Sequence, residues 1–121
     1  MKVEMRYAAM SEIRCVVGAD RGVDCPAPER HHLLTTGFHG NGKRRGDRYT
    51  VAICGYHHRG EHASGSGLAE AFHWGTNLAD NAKAFRAEWP DDRLLAETNK
   101  QLRAWCDRTY GVTYEQLGCE E

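Results

Sequence analysis

Two short segments carry most of the residues that could do chemistry: His31-His32 within Glu29-Arg-His-His-Leu-Leu34, and Cys54-Gly-Tyr-His57-His58. Imidazole has an unperturbed pKa of about 6.5, so at physiological pH its neutral form can take a proton from water or bind a transition metal. Cys54 and His57 have the two-residue spacing of a zinc knuckle, with histidine in the second cysteine's place. Two ligands do not close a structural zinc site. Cys15 and Cys25 complete a Cys3His tetrahedron if the chain loops back between them, which Gly18 and Gly22 permit. A third segment, Gly42-Lys-Arg-Arg-Gly-Asp-Arg48, gathers Lys43, Arg44, Arg45 and Arg48 on a glycine-rich loop. Such a loop can follow a phosphate backbone, with guanidinium groups making bidentate contacts. Taken singly, each signal has an ordinary reading: a histidine pair on a surface, packing thiols, a solvated charge run. Together they specify much more.

The elements that must position these residues follow from pattern. Gly18, Gly22, Pro26 and Pro28 exclude a long helix between Arg14 and His32 and suggest a knuckle leading into a strand over Glu29 to Leu34. On a strand, neighbouring side chains face opposite ways, so His31 and His32 can serve one task only where the strand bends or ends. Tyr49-Thr-Val-Ala-Ile-Cys54 is rich in β-branched and aromatic residues and is the best strand in the chain. A turn at Gly55 then leads into a helical turn through His57 and His58, followed by an inserted loop over roughly 60 to 67. Leu78 to Trp89 reads as a helix with Asn77 as cap and Pro90 as stop. Leu94, Leu95, Leu102, Trp105 and Cys106 mark a second helix that Gly111 can end. Trp74, Trp89 and Trp105 are expected in the core rather than stacked on bases.

The chain of 121 residues is one domain by length and can bury one modest core. Its 13 glycines and mean hydropathy of −0.68 imply many loops and a staple such as a metal. Five cysteines are an odd number, and the clustering of Cys15, Cys25 and Cys54 with the paired histidines favours metal ligation over a secreted disulfide framework. The charged start, with Lys2, Glu4 and Arg6, lacks the apolar stretch of a signal peptide or membrane span, so a cytoplasmic protein with no membrane partner is expected. A net charge of −1 gives no global argument for nucleic-acid binding; the local basic cluster does.

From Glu29 to Arg59, the segments Glu-Arg-His-His-Leu-Leu, Gly-Phe-His-Gly-Asn-Gly-Lys-Arg-Arg-Gly-Asp and Thr-Val-Ala-Ile-Cys-Gly-Tyr-His-His-Arg resemble the phage recombination-enhancement (Ref) nucleases. These are His-Asn-His proteins of the ββα-metal type that cleave DNA where the recombinase RecA forms a filament. The resemblance continues through His73-Trp-Gly75 and Lys83-Ala-Phe-Arg-Ala-Glu-Trp89 and covers about two-thirds of the chain. It implies an α+β fold: a ββα-metal, treble-clef-like core with a zinc knuckle over about residues 14–75, and a helical extension over about 76–121. It also implies a phage- or prophage-encoded endonuclease acting in the bacterial host cell on DNA, with a RecA-type recombinase filament as partner.

Carried across by residue, the resemblance makes His31 the first ligand of a catalytic divalent metal, His32 the general base and His58 the second ligand. The third is His73 or His62. His62 lies at i+4 from His58, which suits one face of an unbroken helix, but Gly60 weakens that helix; His73 followed by Gly75 matches the histidine-glycine element that Ref proteins place after a glycine-rich insertion and is preferred. Imidazole ligands favour zinc by affinity, and availability favours magnesium. A second, structural zinc would sit on Cys15, Cys25, Cys54 and His57. Two departures from the family pattern matter. The usual opening Cys-x-x-Cys is here Cys15-Val-Val-Gly18, so Cys25 must supply the missing thiolate. The middle asparagine is also absent, and Asp47 or Thr50 would have to position the base. The rival reading is a non-catalytic zinc-binding module that grips DNA or a protein, and ligand counting separates the two, because a nuclease needs an open metal position and an unligated His32.

Overall fold

The computed structural model describes residues 1–23, 25, 28–33, 46–60 and 75–119. Along these run α1 (Val3–Met10), α2 (Val16–Arg21), β1 (Glu29–His32), a 3-10 turn (Asp47–Tyr49), β2 (Thr50–Ile53), α3 (Gly55–Arg59), α4 (Ala82–Glu88), α5 (Asp91–Asp107) and α6 (Tyr114–Leu117). The fold is a small α+β arrangement in which helices surround a two-stranded antiparallel sheet. Among the described residues no helix is long and apolar enough to cross a membrane.

β2 is the centre of the molecule, because all four of its residues are buried. Its period-two alternation splits the core: Val51 and Ile53 join Val16, Val17, Leu33, Phe85, Trp89 and Leu94 on one side. Ala52 faces Met10, Ile13, Leu102, Cys106 and Leu117 on the other. β1 pairs with β2 in the register Glu29 to Ile53, Arg30 to Ala52, His31 to Val51 and His32 to Thr50. The Ala52 N–H donates to Thr98 Oγ1 of α5 at 3.1 Å, which satisfies a buried backbone donor from outside the sheet. α5 spans both clusters, with Leu94 in one and Leu102 and Cys106 in the other.

Several expected boundaries move. β1 ends at His32 rather than continuing to Leu34, which lies outside the described residues, and β2 begins at Thr50 because Asp47–Tyr49 form a 3-10 turn. The helix expected from Leu78 begins only at Ala82. Asn77 closes a turn instead, its Oδ1 accepting from the Asp80 N–H at 2.7 Å. The second helix ends on Arg108 in right-handed geometry, before Gly111. Trp89 is fully buried as expected, Trp105 is only partly buried, and Trp74 lies outside the described residues.

Three helices depart from the expectations: α2, in the segment read as a knuckle, and α1 and α6. α6 carries a capping box, Thr113 Oγ1 accepting from the Gln116 N–H and the Gln116 side chain accepting from the Thr113 N–H. α1 is fastened by Arg6, which is fully buried and donates to Thr50 Oγ1 at 2.9 Å, to the Thr50 carbonyl at 2.8 Å and to the Leu117 carbonyl at 2.8 Å. Burial pushes its pKa down to about 10, so the guanidinium is still charged at neutral pH.

Candidate functional site

The thiol cluster is built from three elements. Cys15 is the N-cap of α2, and its sulfur accepts from the Gly18 N–H at 3.4 Å. Cys54 follows β2 as the N-cap residue of α3, and His57 lies on α3's buried face with no exposed surface. His57 Nδ1 is 3.5 Å from Cys15 Sγ, 3.5 Å from Cys25 Sγ and 3.2 Å from Cys54 Sγ. All four ligand atoms fall within 4.8 Å of one another. A zinc tetrahedron with bonds of about 2.3 Å to sulfur and about 2.0 Å to nitrogen has sulfur-to-nitrogen edges of about 3.5 Å, so the four atoms have the dimensions of a closed structural zinc site. This Cys3His group can bind zinc.

Cys25 occupies the place of the missing cysteine. A Cβ added to Gly18 would lie 2.2 Å from Cys25 Sγ, so the sulfur fills the space into which a side chain at position 18 would project. Gly22, at φ 73°, ends α2 in the left-handed conformation and begins the chain's return. Hydrogen bonds from Cys25, then Cys54, hold the Cys15 thiol far below the ordinary thiol range. The reciprocal bond to Cys15, with Cys54 behind it, pushes Cys25 far up. Three sulfurs facing one imidazole must share protons in this way unless a cation takes their place.

A second cluster lies on β1, and the strand divides its histidine pair between two helices. Glu29 and His31 meet α3: the His31 and His58 rings have centroids 4.3 Å apart, tilted by 58°, and His58 Nδ1 is 3.2 Å from Glu29 Oε1. Arg59 grips the same carboxylate with Nε at 3.0 Å and with Nη2. Those Arg59 bonds, with the smaller effect of His58, hold the Glu29 carboxyl below its ordinary range. A carboxylate at Nδ1 orients the imidazole and leaves Nε2 open to another partner.

Arg30 and His32 meet α1 instead. His32 Nε2 is 3.3 Å from Asp47 Oδ1 and 3.3 Å from the Tyr7 hydroxyl, which donates to Asp47 Oδ1 at 2.8 Å. The Arg30 guanidinium lies over the Tyr7 ring, 4.1 Å from its centroid. The Tyr7 bond, followed by that of His32, lowers the Asp47 carboxyl's pKa. Thr50, the other candidate for positioning the base, is engaged elsewhere: its hydroxyl is buried, accepts from Arg6 and donates to the Asp47 carbonyl at 2.8 Å. Asp47 is therefore the residue that faces His32.

The remaining expectations divide. α3 stops at Arg59 with Gly60 left-handed at φ 77°, so the unbroken helix on which His62 would have followed His58 by one turn is absent. His62, His73, Lys43, Arg44 and Arg45 lie outside the described residues. Arg48 is described and exposed. Glu29 and Tyr7 are site residues to which sequence reasoning gave no role. Glu29 stands two residues before His31 on the same strand face, a signal that was available; Tyr7 comes from a helix that had not been anticipated, and no spacing announces it.

No family model, curated protein or solved structure matches this chain in comparisons with known proteins.

Proposed function

We propose that the protein is a metal-dependent DNA endonuclease of the ββα-metal type, with its catalytic residues on β1 and α3 and a structural zinc beside them. One observation supports the reading: the Cys3His group is complete without His31, His32 or His58, of which His31 and His58 meet on one face of β1 and His32 meets Asp47 on the other. A pure zinc module needs its histidines as structural ligands. Here four residues can already close one site, and among the described residues three further histidines remain, with Glu29 facing His58 and Asp47 facing His32.

The His31 and His58 rings lie 4.3 Å apart between centroids, and in this reading these two imidazoles would hold the catalytic ion together with a third ligand. A divalent metal bound there supplies Lewis-acid stabilisation of charge on the phosphate and the 3′-leaving oxygen. His32 takes the proton of the attacking water, so that a P–O bond forms as the P–O3′ bond breaks; the departing 3′ oxygen takes a proton from solvent, leaving 5′-phosphate and 3′-hydroxyl ends. Asp47 holds the His32 ring and stabilises the imidazolium that results. The resemblance to Ref nucleases supports DNA held in a RecA-type recombinase filament as the substrate. His73 supplies the third metal ligand in this reading.

The test is cleavage of filament-bound plasmid by the wild-type chain and by His32→Ala. The variant should keep its metal content and DNA affinity while its rate falls by roughly the 10²–10⁴-fold of a lost general base. Loss of bound metal from His32→Ala, or a wild-type chain inert on naked and filament-bound DNA with every divalent ion tried, would overturn the reading.

A further inference from the structure

We infer that Tyr7, on the N-terminal helix, is a positioning residue: through Asp47 it holds the His32 imidazole in the tautomer that keeps its proton on Nε2, leaving Nδ1 to accept the proton. The catalytic consequence rests on the nuclease reading. The tautomer itself follows from three contacts and can be observed without any activity.

The argument is a count of protons. The Tyr7 hydroxyl has one, and its shortest bond, 2.8 Å, runs to Asp47 Oδ1. Nε2 of His32 lies 3.3 Å from that same carboxylate oxygen and 3.3 Å from the phenol oxygen. With the phenol proton committed to Asp47, both oxygens turn lone pairs toward Nε2. A bare Nε2 would face them with a third lone pair, whereas an Nε2–H donates to Oδ1 and removes the conflict. The neutral ring therefore carries its proton on Nε2, and the proton taken from water goes to Nδ1.

Tyr7 is built to hold this arrangement. Its neighbour Arg6 is buried and ties α1 to Thr50, and Thr50 in turn donates to the Asp47 carbonyl, so the helix and the turn that carries Asp47 share one anchor. Arg30 covers the Tyr7 ring from the strand side. Burial, with the bond to Asp47, pushes the Tyr7 hydroxyl's pKa upward, so it stays a donor at neutral pH. The Asp47 side chain, by contrast, is 44% exposed, and a carboxylate so placed has solvent-facing rotamers open to it once Tyr7 lets go. α1 thus reaches from outside the strand and helix segments that carry the metal ligands to set which nitrogen of the base is reactive.

The experiment uses the full zinc-loaded chain and the Tyr7→Phe variant, which removes only the hydroxyl. Long-range ¹H–¹⁵N correlation spectra, with the His32 ring assigned by its disappearance in His32→Ala, should show a protonated Nε2 in the wild type and mixed tautomers in Tyr7→Phe. On filament-bound DNA, kcat of Tyr7→Phe should fall roughly tenfold, the scale of one lost charge-assisted hydrogen bond. KM, zinc content and melting temperature should hold. Asp47→Asn, at a half-exposed position, should also mix the tautomers, and Tyr7→Phe added to it should cost little more. A wild-type ring protonated on Nδ1, or a Tyr7→Phe ring and kcat indistinguishable from wild type, would overturn the inference. Should the wild-type chain cut no DNA at all, the nuclease reading falls while the spectra still decide the role of Tyr7.

Discussion

If Cys25 Sγ stands where a side chain at position 18 would point, then the fourth zinc ligand should be movable from one position to the other. Cys25→Ser removes one of four ligands. Structural zinc contributes roughly 10–16 kcal/mol of apparent binding energy in small domains, so one ligand's share is about 3 kcal/mol. That corresponds to roughly 10²-fold weaker zinc binding. At about 2.1 cal/mol/K per residue, the unfolding entropy of a chain this long is roughly 0.25 kcal/mol/K, so the melting temperature should drop by about 12 °C. Gly18→Cys combined with Cys25→Ala, which clears the space that a serine hydroxyl would still fill, should restore most of both. The new Cβ would start 2.2 Å from where the Cys25 sulfur now sits. A C–S bond of about 1.8 Å can therefore carry the new sulfur close to the same point, and Gly18 lies within a helix, in a conformation other residues adopt. Zinc affinity would be read by competition with a chromogenic chelator and stability by thermal melting. Cys106→Ser is the control: Cys106 donates to the Val112 carbonyl at 2.8 Å in the other half of the core, a bond a serine hydroxyl can replace, so zinc should stay bound. Wild-type zinc affinity in Cys25→Ser, or no recovery when Gly18→Cys is combined with Cys25→Ala, would refute the spatial argument.

Neutralising Lys43, Arg44 and Arg45 together should weaken DNA binding and lower its salt dependence by about three phosphate contacts without emptying either metal site, as gel shifts across a salt series would show; an unchanged salt slope would remove the loop from the interface. For the same electrostatic reason, little cleavage of naked DNA is expected near physiological salt, and robust cutting of naked plasmid would refute the dependence on a filament. Glu29 has a folded pKa below its unfolded value of 4.5, so it stabilises the fold fully above that pH and loses the contribution as pH falls toward the folded value. The stability difference between wild type and Glu29→Gln should therefore shrink in denaturant titrations taken from pH 7 down to pH 3, and a difference constant with pH would show that Glu29 is not held as a carboxylate by Arg59.

How much of this was legible in the sequence depends on whether a local pattern or a long-range contact sets each feature. β2 was readable because Thr50-Val-Ala-Ile53 has strand chemistry and nothing competes with it. The Cys3His set was readable because ligand spacing is a local signal and the thiols needed only one return of the chain. The start of α4 was misplaced since Asn77 caps a turn and not the helix, and both turn and helix use the same Asx chemistry. α1 was missed for a different reason: its burial depends on Arg6, a charged residue whose fully buried place is made by the Thr50 and Leu117 carbonyls, far away in sequence. No window of ten residues contains that information.

The two adjacent histidine pairs show how the backbone divides labour without added sequence. On β1, successive side chains are turned to opposite faces, so His31 meets His58 on α3 while His32 meets Tyr7 on the other side. On α3, successive side chains differ by about 100°, enough to bury His57 among the thiols and leave His58 half-exposed toward β1. In each pair one histidine goes to one task and its neighbour to another, and the consecutive Cα atoms keep the two tasks within about 3.8 Å of backbone. His58 is where the schemes interlock, because its neighbour in sequence belongs to the thiol cluster and its neighbour in space to β1. If the Cys3His group holds zinc and the proposed nuclease site is right, emptying that group should loosen α3 and move His58 away from His31, lowering activity although the two sites have no ligand in common.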